Sequence, residues 1–269
     1  MSPTAATPSA ASRQYRSRGI HIFGQRVALA AIFLLIWFAA AATVPSYVFP
    51  GPIQTWQAML RIFADGSVGL HLGVTLYRVT VGFTIAAIVG VPLGILLGSS
   101  KVLGEFFAPV LPVLNSVSSA IWSLIAVVWF GLSDMTPIFV CLMTGLPLIV
   151  TNVWQGTRGV NAEWLELANS VRMPRHKVLW KVYLPAIMPF FFSGARLAFG
   201  FGSRVSLVAE ALGASAGVGY MIVRSADLLQ MSNVLAWSIL LVGTIALIDG
   251  GIIRPIENRL FRWRKEANT

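Results

Sequence analysis

The stretch Thr75–Ser100, TLYRVTVGFTIAAIVGVPLGILLGSS, carries a single charged side chain, Arg78. A helix rises 1.5 Å per residue, so about 20 apolar residues cross a hydrocarbon layer of roughly 30 Å. The run Thr75–Leu97 reaches that length. It predicts a helix that spans a membrane. The rest of the chain must then fold as part of a membrane protein.

The composition of the whole chain agrees with a membrane location. Of its 269 residues 56% are hydrophobic and 11% charged, and the mean hydropathy is +0.75, which is too apolar for an ordinary soluble domain. Pro109, Pro112 and the polar run Asn115–Ser119 interrupt one apolar segment, which predicts two helical pieces meeting at a break. The predicted spans are Val27–Val44, Thr75–Leu97, Glu105–Phe130, Pro137–Val153, Ala186–Glu210 and Val234–Ile253. We therefore expect an all-α integral membrane protein with about six transmembrane helices.

The basic residues predict how the chain is oriented. The formal net charge is +10, and 15 of the 20 Lys and Arg residues fall on the segments that share a side with the N-terminus. By the positive-inside rule both termini lie in the cytosol, so the charge needs no nucleic acid to explain it. We expect a disordered basic tail over residues 1–26, a membrane domain over 27–257 and a second basic tail over 258–269. Arg259–Lys265 has two possible roles: it binds anionic lipid, or it only helps to orient the chain in the membrane.

A charged module occupies the longest cytosolic loop, residues 156–185. Asn161 is placed to cap a helix whose first turn holds Glu163, which suits the positive end of the helix dipole. Pro174 cannot continue that helix but can begin a second one, which we expect Pro185 to stop. The first helix carries one narrow apolar stripe, formed by Trp164, Leu167 and Val171.

Three interpretations of this helix pair compete. A DNA-binding helix-turn-helix has similar proportions, but short tethers to two spans would hold it against the bilayer. Two interfacial helices could rest on the lipid headgroups. The third interpretation is a docking element that presents its apolar stripe and basic residues to a groove in a cytosolic partner.

Several motifs resemble one family. Glu166, Ala168 and the pair Leu184–Pro185 are spaced as in the cytoplasmic EAA loop of permease subunits of bacterial ATP-binding-cassette (ABC) importers of type I. The resemblance extends over roughly residues 45–265 and is closest to the sulfonate, taurine and nitrate branch. The motifs that carry it are FPGPIQTWQAM, TLYRVTVGFTIAAIVGVPLGILLGSS, VWFGLSD, SGARLAFGFG, VAEALGASAGVGYMI and RPIENRLFRWRK.

The resemblance implies a role and partners. The chain would be the bacterial inner-membrane subunit that moves a small solute, such as a sulfonate, a carboxylate or a nitrate-like anion, into the cytosol. Its partners would be a cytosolic ATPase dimer, an external substrate-binding protein and a second permease copy. ATP and Mg²⁺ would sit on the ATPases, with no cofactor on this chain. Coupling to the ATPase would fall to Glu163, Trp164, Glu166, Leu167, Ala168, Arg172, Pro174, Leu184 and Pro185.

Two departures from the family pattern matter. Arg172 stands where members usually have glycine, at the turn between the two loop helices. If that turn needs a left-handed backbone, arginine is strained there by roughly 1 kcal/mol. Members also carry prolines where this chain has Ser116–Trp122, a stretch that we expect to line the substrate pathway. Substrate choice then differs from that of the relatives.

Other activities have less support in the sequence. The chain has no GxxxxGK[ST] phosphate loop, so it does not hydrolyse ATP by the usual route, and we expect no enzyme activity of its own. Its three histidines lie on separate segments and predict no metal site. An ion-coupled transporter with Asp249 as its proton site stays an alternative, and so does a membrane enzyme using Asp134 and Glu210.

Charged side chains within spans are costly and therefore candidates for function. For Arg78 and Arg196 we expect pairing with carbonyls or with an acid such as Glu210. Arg204 is the predicted anion contact, buried in the fifth span, because a guanidinium binds a carboxylate or sulfonate with two hydrogen bonds. The predicted substrate pathway consists of Arg204, Ser203, Phe201, Trp122 and Ser119. We interpret Gly194, Gly200 and Gly202 as small residues that let neighbouring helices pack closely.

Overall fold

All secondary structure in the computed structural model, which describes residues 10–253 and 255, is helical. Two π-helical turns, Leu179–Tyr183 and Asp249–Ile253, interrupt or end helices. The helices are α1 (Ala10–Thr43), α2 (Pro52–Ala64), α3 (Ser67–Ser99), α4 (Lys101–Phe107), α5 (Val110–Ser116), α6 (Ser119–Phe130), α7 (Met135–Arg158), α8 (Ala162–Ser170), α9 (Arg175–Val178), α10 (Leu184–Gly213), α11 (Val218–Asp227) and α12 (Met231–Ile248). The predicted all-α class is confirmed.

Helices α3 and α7 pack against each other along their length and run in the same direction. A Cβ added at Gly82 would lie 2.6 Å from Cys141 Cβ, and one at Gly94 would lie 2.7 Å from Val153 Cβ. Small residues of this kind let two membrane helices approach closely where lipid offers no hydrophobic drive. Since α10 runs antiparallel to them, it ends where α3 begins. We call that end of the bundle the Glu210 end, and the opposite end the α8 end.

Four described helical segments are long and apolar enough to cross a membrane: Ser67–Ser99, Met135–Arg158, His176–Gly213 and Met231–Gly251. The pair Lys101–Ser116 and Ser119–Phe130 is a fifth candidate, either a broken span or a re-entrant loop, and its two pieces meet at an angle of 88°. The predicted break in the third span is therefore confirmed. The first predicted span corresponds to the shorter apolar helix Ala28–Thr43 within α1.

Helix α1 begins earlier than the sequence predicts. We expect a disordered tail over residues 1–26, but the chain is helical from Ala10 onward. Alanine, arginine and glutamine favour helix, and no proline lies between Ser9 and Val44 to stop it. Residues 1–9 and the predicted basic tail 258–269, with most of Arg259–Lys265, lie outside the described residues.

The prediction that Pro185 ends the second loop helix is wrong. Helix α9, the π-helical turn and α10 form one continuous helical segment, His176–Gly213, with Pro185 in the first turn of α10. Leu184 N–H donates to the carbonyl of Leu179, five residues earlier, as in a π-helix. Proline is tolerated in the first turn of a helix, and the wider π turn before it takes up the change in hydrogen bonding.

A hydrophobic cluster at the Glu210 end joins α2 and α12 to the start of α11. Ala58 and Ile62 of α2 pack with Trp237 and Leu241 of α12 and with Val218 at the start of α11, and all five are buried. Because Val218 belongs to this cluster, residues 214–217 are held against the bundle at one end. This places the loop beside the start of α3.

Candidate functional sites at the two ends of the bundle

Helix α8 is capped as the sequence predicts. The side-chain Oδ1 of Asn161 accepts a hydrogen bond from Glu163 N–H at 3.1 Å, and the Asn161 amide donates to the Glu163 carboxylate at 3.2 Å. Such a cap satisfies an N–H group that the first turn leaves unpaired. It fixes the point at which α8 leaves α7, and with it the direction of the apolar stripe.

That stripe is left largely open by the described part of the chain. Trp164, Leu167 and Val171 are 60%, 56% and 61% exposed. Glu166 is also exposed, whereas Ala168 on the other side of α8 is buried. An amphipathic helix with its apolar side open is suited to a groove in a partner or to a headgroup layer, so the structure keeps both interpretations of the module.

The turn after α8 has the left-handed backbone that glycine favours. Arg172 has φ +49°, and Met173 N–H donates to Ala168 O at 2.9 Å. This is the long hydrogen bond of a Schellman motif, with Pro174 following to prevent further helix. The condition for strain at Arg172 is therefore met, at a cost of roughly 1 kcal/mol.

A groove of about 440 Å³ separates the start of α8 from the helix that follows. Its lining includes Asn161 and Trp164 on one side and Lys181 and Pro185 on the other. Pro185 is exposed and Leu184 is half-buried. Of the predicted coupling residues, Trp164 and Pro185 line this groove, and Leu167 lies on the exposed stripe with Trp164.

At the Glu210 end, a buried ion-pair network surrounds Arg78. Its Nη1 donates to Glu210 Oε1 at 3.0 Å and to the carbonyl of Ala216 at 2.7 Å, and its Nε donates to Asp134 Oδ1 at 3.0 Å. Arg78 and Glu210 are almost inaccessible, while the Asp134 side chain is 61% exposed. The predicted pairing of Arg78 with an acid such as Glu210 is confirmed.

The same end holds the backbone of residues 216–219 through four side chains. Gly217 N–H donates to His71 Nδ1 at 3.1 Å, Val218 N–H to Thr75 Oγ1 at 2.9 Å, and Gly219 N–H to Glu210 Oε2 at 3.0 Å. Thr75 Oγ1 in turn donates to Glu210 Oε2 at 2.9 Å. Sequence reasoning missed this arrangement, although His71, Thr75 and Arg78 share one helix face by their spacing.

A second ion pair lies between α10 and the turn that ends α12. Arg196 Nε is 2.8 Å from Asp249 Oδ1, and the side chains are 34% and 27% exposed. Arg196 therefore pairs with an acid as expected, but with Asp249 and not Glu210. Asp249, the candidate proton site of an ion-coupled transporter, is held by a guanidinium.

Arg204 lies on the face of α10 that points away from the core. It is exposed, which differs from the expected burial, because α12 leaves an open cavity beside this face of α10. With Phe201, which is 50% exposed, it lines a cavity of about 530 Å³ between α10 and α12. Among the residues that the structure describes, no hydrogen-bonding partner or acid pairs with Arg204.

The other predicted pathway residues do not join this cavity. Ser203 is 1% exposed and its hydroxyl donates to the carbonyl of Phe199 at 2.7 Å. Trp122 packs edge-on against Phe139, with ring centroids 6.2 Å apart. Ser119 is the first residue of α6. Of the five predicted residues, only Arg204 and Phe201 share one surface within the chain.

The three predicted packing glycines behave differently. A Cβ on Gly194 would lie 2.8 Å from Asn152 Cβ, so this glycine does permit close contact between α10 and α7. Around Gly202 the nearest atom is 4.0 Å away, and around Gly200 there is open space. The packing interpretation is therefore confirmed for Gly194 and wrong for Gly200.

These features define a class: an integral membrane protein of packed apolar helices, with an exposed helical module at one end and a tethered loop at the other. No group of three metal-ligating side chains occurs among the described residues. The family model for "Binding-protein-dependent transport system inner membrane component" matches residues 90–262, more than half of the chain. The chain therefore belongs to this family of inner membrane components of transport systems.

Curated relatives agree with that assignment. A Bacillus subtilis (strain 168) permease protein named for aliphatic sulfonates transport, SsuC, is 29% identical over 88% of this chain and 86% of its own length. The bicarbonate transport system permease protein CmpB of Synechococcus elongatus is 30% identical over 86% of each chain. The nitrate import permease protein NrtB of the same species is 30% identical over 71% of this chain and 72% of its own.

A solved structure shares the fold. The chain is similar to one in "Inward facing conformations of the MetNI methionine ABC transporter", with a TM-score of 0.59 and 18% identity over 70% of this chain and 92% of that chain. At this identity the likeness concerns the fold alone. It supports the predicted type I importer architecture.

Proposed function

We propose that this chain is the membrane-spanning permease subunit of an ATP-driven importer that moves a small anion into the cytosol. The observation that carries the proposal is the α8 module. Its apolar stripe, formed by Trp164, Leu167 and Val171, is open at the end of the bundle where Arg158 and Lys181 also lie. An open stripe beside basic residues fits a cytosolic partner with a hydrophobic groove.

The energy for transport comes from another polypeptide. This chain contains no phosphate loop, so ATP and Mg²⁺ would be bound by a pair of cytosolic ATPases. A substrate-binding protein outside the membrane and a second permease copy complete the assembly. The α8 end then faces the cytosol, and the Glu210 end faces outward.

Helix continuity suggests how movement would cross the membrane. The segment His176–Gly213 starts beside α8 and reaches the Glu210 end without a break, over about 57 Å at 1.5 Å per residue. When ATP draws the two ATPases together, their pull on α8 would be passed along this helix. Glu210 would then move against α3 at the opposite end, which couples the nucleotide cycle to the external loops.

The proposed substrate class is a small anion. The names of the three relatives refer to sulfonates, bicarbonate and nitrate, which are all anions. Arg204 offers an exposed guanidinium beside Phe201 in a cavity of about 530 Å³. A guanidinium pairs with oxyanions in a bidentate manner, and an adjacent aromatic ring accommodates an organic body.

Purification from the native membrane in a mild detergent tests the proposal. We expect an ATPase with a phosphate loop to co-purify, and we expect uptake by the reconstituted assembly to require ATP and the external binding protein. A chain that purifies alone and transports its solute with an ion gradient would replace the importer with a secondary transporter. The ion pair of Asp249 with Arg196 is an argument against that alternative.

A further inference from the structure

We propose that His71, Thr75, Arg78 and Glu210 form a latch that holds the backbone of residues 216–219, and that its release frees this loop. All four are positioning residues, because each one acts by holding the backbone of residues 216–219 in place. We call these four side chains the loop latch. The inference goes beyond the proposed function and rests on it only for the statement that the loop faces outward.

The geometry of the latch is specific to the backbone of the loop. Four consecutive residues each give one main-chain group to one side chain: the carbonyl of residue 216 and the N–H groups of residues 217, 218 and 219. Buried main-chain groups without partners cost free energy, and the N–H groups of Gly217, Val218 and Gly219 lie at the N-terminal end of α11, where the helix itself offers them no partner. The latch therefore supplies pairing that a helix or strand would otherwise supply.

The residues of the loop have few side-chain atoms with which to hold themselves. The sequence Gly213–Gly219 is GASAGVG, and Gly217 has φ +111°, with its Cα so close to Glu210 that an added Cβ would lie 2.5 Å from the carboxylate. Only Val218 packs in the hydrophobic cluster with Trp237. Four hydrogen bonds and one valine thus determine the position of the loop.

The latch joins two different helices. His71, Thr75 and Arg78 belong to α3, whereas Glu210 belongs to α10. Thr75 is the link, because its hydroxyl donates to Glu210 Oε2 and accepts from Val218 N–H. Since residues 214–217 follow directly from α10, a shift of α10 along its axis would draw the loop away from the three side chains of α3 and would separate Glu210 from Thr75.

Labelling of a buried loop position tests the latch. Val218 is 0% exposed and the native Cys141 is 2% exposed, so Val218→Cys gives a thiol that reacts with a membrane-impermeant maleimide only when the loop lifts. In this background, Thr75→Val keeps the side-chain volume but loses the hydroxyl, and Thr75→Ser keeps the hydroxyl. His71→Leu loses the acceptor at Nδ1, and His71→Asn keeps one.

We expect Thr75→Val and His71→Leu to raise the labelling rate of the full transporter at least tenfold, and Thr75→Ser and His71→Asn to stay within about twofold. An unchanged rate with Thr75→Val would overturn the latch. Equal labelling of Cys141 would do the same, since it would indicate general loosening of the bundle. Neither result depends on substrate or ATP, so failure of the latch leaves the proposed function standing.

Discussion

Arg172 and Leu229 adopt the same unfavourable backbone conformation, with φ of 49° and 57°, at the ends of two different helices. Gln230 N–H donates to Ser225 O at 2.8 Å in the second turn, just as Met173 N–H donates to Ala168 O in the first. Glycine lacks the Cβ that makes the left-handed region costly, although its greater chain entropy in the unfolded state offsets part of that gain in stability. Each position is therefore a site where glycine improves stability.

We predict that Arg172→Gly and Leu229→Gly each stabilise the purified protein by about 0.5–1 kcal/mol, seen as a rise in apparent Tm of roughly 2 °C. The control is Ser170→Gly in the last turn of α8, where the backbone is helical and glycine costs about 0.5–1 kcal/mol. A fall in Tm with Arg172→Gly would mean that the guanidinium contributes more than the backbone strain removes.

Arg204 decides whether the cavity between α10 and α12 belongs to the substrate pathway. We predict that Arg204→Ala lowers uptake at least tenfold without changing assembly with the ATPase, because it removes the guanidinium that would pair with the anion. Arg204→Lys keeps the charge but loses the bidentate geometry, so its uptake should lie between that of the unmodified protein and that of Arg204→Ala. Uptake and pull-down of the ATPase measure the two effects separately.

Arg61 provides the matched control for that test. It is an exposed arginine on α2, outside the cavity. Arg61→Ala should leave uptake within about twofold of the unmodified protein. Equal loss in both variants would point to net charge, and full uptake with Arg204→Ala would remove this residue from the pathway.

At the scale of elements, the contact of α3 with α7 depends on glycine. We predict that Gly94→Ala destabilises the protein by about 1–3 kcal/mol, because its Cβ would lie 2.7 Å from Val153 Cβ in a packed interface. Gly243→Ala in α12 meets nothing within 4 Å and should be neutral or stabilising through helix propensity. Thermal unfolding of both variants tests this prediction, and an equal change in apparent Tm would contradict the packing argument.

The coupling hypothesis states that α8 docks into the ATPase. We predict that Glu166→Lys reduces uptake at least tenfold at normal expression, because Glu166 lies exposed on the helix whose open stripe would enter the ATPase. The control is Glu105→Lys, the same change at an exposed acid of α4. Normal uptake with Glu166→Lys would favour the alternative in which α8 rests on lipid headgroups.

Sequence reasoning predicted elements wherever a local rule decides them. Pro109, Pro112 and the polar run after them predicted the break that appears as an 88° bend, and Asn161 predicted the cap of α8. Pro185 misled the prediction, because proline is compatible with the first turn of a helix, and the sequence does not say whether a new helix starts there. Local rules therefore locate interruptions better than they locate ends.

Faces of helices were harder to predict than the helices themselves. Ser203 and Arg204 are neighbours in sequence, but the helical turn of about 100° per residue puts Ser203 in the core and Arg204 on the outer surface. The buried face of α10 carries polar residues such as Ser203 and Glu210, whereas Phe201 is half exposed, so a rule that places apolar residues inside does not assign its faces. The loop latch was missed for a related reason, since it depends on contacts between residues more than 130 positions apart.

At the scale of the whole molecule, the topology can be tested with one matched pair of cysteines. Ser215, in the loop before α11, and Ser99, at the end of α3, are both exposed but lie at opposite ends of the bundle. If the positive-inside rule orients this chain as proposed, Ser215→Cys reacts with an impermeant maleimide in intact cells. Ser99→Cys should react only in inverted vesicles, while native Cys141 stays buried in both. The reverse pattern would place the α8 end outside, where no ATPase could reach it, and would end the importer proposal together with the coupling role of α8.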